Sequence, residues 1–304
     1  MKGRIFVVVV LVVAAAFAGR WVTRSRRSTE MSNREETRQS FRLGAGARVE
    51  VRGINGSVEV NTSADADTAD VLIVRTATSA DDLEYAKVYV EETPSGIVVR
   101  GENNGGRNFW RWLFGGGGQV KQEVTLTVPR RVELSTKGVN GPVEVGEVDG
   151  SVSVEGVNGR VEVAQSLGHA EIKGVNGGVR VGVSQLGSEG MDIKGVNGNV
   201  EIRLKENIDA DINVKGHNGN LSLDVPNVTM QEREGHSNAH ARLGAGGAQI
   251  EIKGVNGNVR FTSSAPASTT TTTTTTVAPV IKTIIVAPGN TTPVAPVPPV
   301  PPTR

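Results

Sequence analysis

The chain has 304 residues, with 33 lysines and arginines, 32 aspartates and glutamates, and no cysteine. The absence of cysteine excludes disulfide bonds, a thiol nucleophile and thiolate metal ligands. A net charge of +1 predicts no strong attraction to nucleic acid, and the sequence holds no recognisable nucleic-acid-binding motif, so we expect no nucleic-acid partner.

Residues 1–19 have the pattern of an export segment. Basic residues precede the apolar run Ile5–Ala16, and Ala16-Phe17-Ala18 resembles a signal-peptide cleavage site. The apolar run is shorter than the roughly 20 residues that a membrane-spanning helix needs, which favours a cleaved signal peptide. Arginines directly after it resist translocation, so an uncleaved membrane anchor through residues 5–19 and a cytoplasmic body remain alternatives. These arginines are Arg20, Arg24, Arg26 and Arg27.

Two less regular segments follow the export segment. Residues 20–42 mix basic and acidic side chains without an apolar period, and we expect a charged, solvated linker. Residues 43–131 begin with a strand pattern and a turn at Asn55, then lose the regular spacing but remain rich in strand-forming residues. This second segment is predicted to be an irregular β cap section that shields one end of the repeats that follow.

Within the cap section, glycines flank a short aromatic loop at residues 107–114. Phe109, Trp110, Trp112 and Phe114 lie in this loop. Such a loop can bind a partner or a lipid interface, where tryptophan is favoured, or it can fold back over the end of the repeats. Both interpretations stay open, and the four aromatic residues are candidates for partner binding.

Residues 132–262 contain a corner motif, Gly-Val-Asn-Gly, that recurs at steps of 18 and 21 residues. Apolar residues alternate on both sides of each motif, which is the period of a strand with one buried face. We therefore predict an all-β fold, a β-solenoid of stacked two-strand coils of about 18–21 residues each. An antiparallel meander is the alternative, because Asn-Gly is also typical of hairpin turns.

The corner asparagines are predicted to stack in a row, with each side-chain amide bonded to its neighbour. Positive φ is expected at the Asn-Gly corner, since both residues tolerate it. The 38-residue step between Asn218 and Asn256 divides into 20 and 18 if Asn238 marks a degenerate coil. The predicted row comprises Asn55, Asn140, Asn158, Asn176, Asn197, Asn218, Asn238 and Asn256.

A lysine precedes most corner glycines, and an acidic residue often lies two positions earlier on the same strand face. Like charges at strand spacing repel, so we expect the lysines to fan out or to pair with the acidic row. The functional alternative is a cationic stripe for an anionic surface polymer. Lys173, Lys194 and Lys215 are the candidate binding residues of that stripe.

Two histidines, His217 and His236, occupy corner positions where other coils have valine. We expect stacked histidines with satisfied hydrogen bonds, and a metal site or a pH-sensitive contact is the alternative. No motif predicts a cofactor or a catalytic residue. Residues 263–304 are rich in threonine and proline, cannot bury a core, and are predicted to be a disordered tail, with a glycosylated stalk as the alternative.

These patterns resemble the bacterial putative-adhesin family of β-strand-repeat domains of unknown function. The matching features are the opening turn within Val49–Val60, the strand end at Thr127-Val128-Pro129, and alternating valines around recurring glycines from Val132 to Phe261. The resemblance covers about residues 43–262. It implies a surface or periplasmic domain similar to a β-solenoid, in which adhesion is a label by analogy, and it brings no catalytic residues.

The sequence thus favours a non-enzymatic exported protein, an adhesin-like module or an envelope scaffold, in the periplasm or at the cell surface. Its expected partners are an envelope polymer, a membrane surface or other envelope proteins, and end-to-end self-association is a further option. One alternative is a membrane-tethered envelope-sensing component. Another is a carbohydrate-active β-helix enzyme, which rests on analogy of fold alone.

Overall fold

The computed structural model describes residues 33–63, 67–103, 120–205, 207–235 and 237–264. The predicted export segment, the aromatic loop at residues 107–114 and the tail after residue 264 lie outside these residues. The described chain is all-β, as predicted, with one six-residue helix, α1 (Ala80–Tyr85). No helix in the described ranges is long and apolar enough to cross a membrane.

The described chain forms 21 strands. The first ten are β1 (Asn33–Arg42), β2 (Ala47–Arg52), β3 (Gly56–Ser63), β4 (Thr68–Ala77), β5 (Ala86–Thr93), β6 (Gly96–Asn103), β7 (Val120–Pro129), β8 (Val132–Val139), β9 (Val143–Val148) and β10 (Val152–Val157). The others are β11 (Val161–Ser166), β12 (Ala170–Val175), β13 (Val179–Val183), β14 (Met191–Val196), β15 (Val200–Lys205), β16 (Ala210–Lys215), β17 (Leu221–Asp224), β18 (Val228–Glu234), β19 (Asn238–Leu243), β20 (Ala248–Val255) and β21 (Val259–Ser264).

The strands form two sheets. The ten-stranded sheet has the order β1-β4-β7-β3-β9-β11-β13-β15-β21-β17, and the eleven-stranded sheet has the order β18-β19-β16-β20-β14-β12-β10-β8-β2-β6-β5. We use "repeat" for one strand of the eleven-stranded sheet, the corner after it, and the next strand, which lies in the ten-stranded sheet. From β6 to β17, successive strands alternate between the sheets in this way.

Neighbouring repeats pair in parallel and in register. Val154 of β10, for example, lies beside Thr136 of β8 and Ile172 of β12. An antiparallel meander is therefore the wrong description of the repeats. Because each strand has apolar residues at alternate positions, parallel register places all of them on the same side of the sheet.

The inward side chains of both sheets form a continuous hydrophobic core. Ile172, Ile193, Ile252 and Phe261 are each less than 2% exposed. Burial of one such side chain stabilises the folded state by about 1.5–3 kcal/mol. With no cysteine in the chain, this core and the strand hydrogen bonds hold the repeats together.

The last repeats do not follow the order of the chain. The repeat of β20 and β21 lies between that of β14 and β15 and that of β16 and β17. Asn238, predicted to mark a degenerate coil, instead begins β19, which pairs antiparallel with β16. The prediction for Asn238 was wrong because β18 and β19 form an antiparallel pair at the edge of the eleven-stranded sheet instead of a corner.

A similar reversal occurs at the amino-terminal end. The repeat of β6 and β7 lies outside the repeat of β2 and β3, which precedes it in the chain. Antiparallel strands β4 and β5 then pair with β7 and β6. Residues 43–131 therefore contain two repeats in register with the others, in addition to the antiparallel strands expected of a cap section.

Part of the predicted charged linker is a strand. Residues 33–42 form β1, which pairs antiparallel with β4 over ten residues. The inward positions of β1 are mostly polar, and they are held by contacts with distant residues: Glu35 accepts a hydrogen bond of 2.6 Å from the buried guanidinium of Arg75. The linker prediction was wrong here because it relied on an apolar period that β1 lacks. At the other end, residues 263 and 264, assigned to the tail, belong to β21.

Candidate functional site

Each corner begins with a glycine in the left-handed backbone region. In the seven corners that stack, the φ of this first glycine lies between +63° and +68°. The expectation of positive φ at the corner asparagine was wrong, since the described non-glycine residues with positive φ are Asn207 and Asn227. The asparagine instead continues the strand ladder: the Asn158 amide donates to the Val139 carbonyl at 2.8 Å.

The last glycine of each corner lies against the next corner. A Cβ atom added at Gly177 would lie 2.2 Å from the Gly159 carbonyl oxygen, and one at Gly198 would lie 2.3 Å from the Gly177 oxygen. Any side chain at this position would force the repeats apart. Backbone conformation thus requires the first corner glycine and close packing requires the last, to which a φ of +157° adds at Gly177 and Gly198.

Corner asparagines from seven repeats form one exposed row of side-chain hydrogen bonds, which we call the asparagine row. Each Nδ2 donates to the Oδ1 of the preceding member, at distances from 2.9 to 3.3 Å. In spatial order the row is Asn55, Asn140, Asn158, Asn176, Asn197, Asn256 and Asn218. Asn238 lies apart from this row, and its Oδ1 accepts a hydrogen bond from the Gly216 amide at 3.1 Å.

A second, shorter set of asparagines was missed in the sequence. Asn199, Asn258 and Asn220 directly follow the last corner glycine of three neighbouring repeats. The Asn258 amide donates to Asn199 Oδ1 at 3.0 Å, and the Asn220 amide donates to Asn258 Oδ1 at 2.9 Å. The recurring Gly-Asn after the corner asparagine was the available signal.

The candidate lysines lie together on the outer face of the eleven-stranded sheet. Parallel register places Lys173 beside Lys194, Lys194 beside Lys253, and Lys253 beside Lys215. Glu155 lies between Lys137 and Lys173 in the same row. We call the lysines of this row, together with the carboxylates two positions earlier on their strands, the charged face. Its lysines are Lys137, Lys173, Lys194, Lys253 and Lys215, and its carboxylates two positions earlier are Glu171, Asp192 and Glu251.

Most of these lysines are paired along their own strand. Lys173 contacts Glu171, Lys194 Nζ lies 3.1 Å from Asp192, and Lys253 Nζ lies 2.5 Å from Glu251. A diagonal contact of 3.5 Å also joins Lys194 to Glu251. For Lys215, at the end of the row, no ion pair occurs among the described residues.

The ion pairs keep both partners charged. The hydrogen bond from Lys173 is the main cause that lowers the pKa of Glu171, against the opposing effect of burial. The hydrogen bond to Asp192 likewise raises the pKa of Lys194. The ammonium groups lie further out than the acids: in the three pairs the lysine side chains are 35–44% exposed and the carboxylate side chains 17–30%.

His217 is buried where other repeats have valine, and only one of its ring nitrogens is satisfied. Nδ1 lies 2.8 Å from the Ser237 carbonyl, whereas Nε2 has no hydrogen-bond partner among the described residues. The expected stack with His236 lies outside the described residues. So do Phe109, Trp110, Trp112 and Phe114, which therefore remain predicted partner-binding residues.

Comparison with known proteins gives structural neighbours only. No protein-family model and no curated protein matches the sequence. One similar solved structure is a putative cell adhesion protein from Clostridium sporogenes, with 10% identity, coverage of 76% of this chain and 100% of that chain, and a TM-score of 0.37. Another is a putative adhesin from Bacteroides fragilis, with 13% identity, coverage of 74% and 96%, and a TM-score of 0.32.

A third similar structure is a putative adhesin from Parabacteroides merdae, with 9% identity, coverage of 74% and 95%, and a TM-score of 0.27. All three are bacterial proteins described as putative adhesins or cell adhesion proteins. All three TM-scores are below 0.5.

Proposed function

We propose that the protein is a non-enzymatic, exported β-solenoid that serves as an adhesin-like binding module or scaffold of the cell envelope. The solenoid description is supported by the repeats, each of which adds one parallel strand to each sheet. The envelope location is supported by the export pattern of residues 1–19.

The observation that carries the binding role is the repetition of the same outward groups at strand spacing. The asparagine row runs through seven repeats and the lysines of the charged face occur in five of them, with neighbouring strands about 4.8 Å apart. A linear polymer with a repeating structure can make the same contact several times along such a surface. Each exposed ion pair is weak, worth about 1 kcal/mol or less, but linked contacts give avidity.

The charged face favours an anionic envelope polymer as the partner. In its three ion pairs the lysine side chains are more exposed than the carboxylates, so a polymer that approaches these pairs meets cations first, although Glu155 in the same row is also exposed. Lys215 adds a lysine whose charge is not balanced by an ion pair among the described residues. Phosphate or carboxylate groups of a polymer would replace water around these ammonium groups without displacing the core of the repeat.

Retention of the purified full-length chain on poly-L-glutamate and on isolated cell-wall polymer tests this role. We expect retention at low salt that falls as salt increases, because screening shortens the reach of exposed charges. Replacing Lys173, Lys194 and Lys215 together by glutamine should reduce retention by about tenfold or more, equivalent to about 1.4 kcal/mol.

The matched control neutralises three cations of the opposite sheet, with Arg180, Arg203 and Arg260 replaced by glutamine. This variant should keep its retention, since the substituted residues lie on the ten-stranded sheet. Equal losses in the two triple variants, or no retention of the unmodified chain, would rule out the charged face as the binding surface. A third variant without residues 107–114 measures the contribution of the aromatic loop.

The mature amino terminus distinguishes export by a cleaved signal from a tethered envelope-sensing role. Cleavage after Ala18 supports the released module, whereas an intact Met1 in the membrane fraction supports the tethered component. Turnover of a polysaccharide by the purified chain, lost on substitution of clustered acids, would contradict the non-enzymatic proposal.

A further inference from the structure

Three metal-ligating side chains converge on the outer face of the eleven-stranded sheet. His169 directly precedes β12, Glu171 lies two residues later on the same face, and Asp192 lies beside Glu171 on β14. One ligand atom from each of the three lies within 4.8 Å of the others, and all three side chains are half-buried. No other repeat has a histidine at the position of His169.

The backbone just before the neighbouring strand holds the imidazole of His169. Gly190 directly precedes β14, and His169 Nδ1 lies 3.1 Å from the Gly190 carbonyl oxygen. Since a carbonyl oxygen only accepts, Nδ1 carries the proton, and in the neutral ring Nε2 has the lone pair. A histidine whose Nδ1–H is fixed by a backbone carbonyl is the arrangement that orients metal ligands in proteins.

Nε2 of His169 lies near Asp192 without a hydrogen bond to it. Nε2 lies 3.8 Å from Asp192 Oδ2, which is too long for a hydrogen bond. In tetrahedral coordination, two atoms that each bind one zinc ion at about 2.0–2.2 Å lie about 3.3–3.6 Å apart. A shift of less than about 1 Å in these partly exposed side chains would close the three groups around a single ion.

We propose that His169, Glu171 and Asp192 form a binding site for a divalent transition-metal ion of the zinc class. One imidazole and two carboxylates suit such an ion, whereas calcium and magnesium prefer oxygen ligands alone. Water or a group of a bound partner would complete the coordination. Lys173 and Lys194, which pair with the two carboxylates, would turn away into solvent when the ion binds.

Titration calorimetry of the purified full-length chain with zinc chloride tests the site. We expect one zinc ion per chain, with affinity reduced at least about tenfold in the His169→Ala variant. Asp192→Asn should also weaken binding. The matched control is His240→Ala, which removes a histidine of the same sheet on β19 and should leave binding unchanged.

Nuclear magnetic resonance gives a second readout that does not depend on stability. Substoichiometric nickel should broaden the ring signals of His169 before those of His240. Binding that persists in His169→Ala, equal loss in both histidine variants, or no zinc binding would overturn the proposal. A circular-dichroism melt of each variant shows that it is folded. Failure to bind zinc would leave the proposed polymer binding untouched, because zinc binding is measured without polymer.

Discussion

A single methyl group at Gly177 should separate two repeats. The Cβ of Gly177→Ala would lie 2.2 Å from the Gly159 carbonyl oxygen, whereas real Cβ contacts stay at 3.0 Å or more. The repeats must therefore move apart by at least 0.8 Å at this corner. Gly178, the next residue, provides a control, because its added Cβ would lie 3.6 Å from the Asn199 oxygen, an ordinary contact.

The expected cost follows from the bonds that cross the same gap. Asn176 donates to the Val157 carbonyl at 2.8 Å and to Asn158 Oδ1 at 3.0 Å. A displacement of 0.8 Å stretches both beyond hydrogen-bond length. Two lost bonds at about 1 kcal/mol each, with the lower figure of about 1 kcal/mol for overpacking, give a minimum of about 3 kcal/mol.

Urea and thermal unfolding followed by far-ultraviolet circular dichroism measure this difference. For a domain of this size, about 3 kcal/mol corresponds to a decrease in Tm of about 6–12 °C. Gly178→Ala should change stability by only about 0.5 kcal/mol. Equal Tm values for Gly177→Ala and Gly178→Ala would refute the argument that close corner packing requires the last glycine.

Three further predictions concern the asparagine row, the buried histidine and the acidic pH limit. Asn176→Ala removes a member of the row that is bonded on both sides and should lower the free energy of unfolding by about 1 kcal/mol. This is roughly twice the loss expected for Asn218→Ala at the end of the row, and equal changes in Tm would contradict the prediction. His217→Val removes a buried, unsatisfied nitrogen and should raise Tm by about 2–4 °C, whereas a lower Tm would show that its bond to Ser237 dominates. The hydrogen bond from Arg203, with a second from Arg180, lowers the pKa of Glu201 below its ordinary 4.5. The ionised carboxylate therefore stabilises the folded state above that pH, and this contribution is lost as pH falls through the folded pKa. Acid unfolding curves of Glu201→Gln should accordingly show a weaker loss of stability than those of the unmodified chain.

The regular repeats could be predicted because the inward positions of each strand are apolar and are recognised from the local sequence. In β10, β12 and β14 the first, third and sixth residues are valine, isoleucine, alanine or methionine, and each is buried. Periodicity alone therefore gives strands, their buried face and the position of the corner. The asparagine row follows from the same regularity, since equal positions in stacked repeats become neighbours.

The order of the last repeats could not be predicted in this way. Lys194, Lys215 and Lys253 occupy equivalent positions, so a repeat fits beside any of the others with nearly the same contacts. The 38-residue step between Asn218 and Asn256 was compatible with an added coil or with an edge pair. Only pairing between distant segments, β16 with β19 and with β20, decides between them.

The proximity of His169 and Asp192 could not be predicted from the local sequence pattern either. The two residues are separated by 23 positions and become neighbours only through parallel pairing of β12 with β14. Strand β1 illustrates the same limit, because the partner of its Glu35 is Arg75 on β4. The local sequence indicates which face of each strand is buried, whereas pairing between distant strands determines which side chains meet at the candidate site.

Disulfide cross-linking tests the stacking order directly, since the natural chain has no cysteine. We expect a disulfide in the double variant Lys194→Cys with Lys253→Cys, because these positions are in register on adjacent strands about 4.8 Å apart. Lys194→Cys with Lys215→Cys should not, since β20 lies between their strands and separates them by about 10 Å. Efficient cross-linking of Lys194→Cys with Lys215→Cys, and none with Lys253→Cys, would contradict the arrangement on which the charged face and the asparagine row depend.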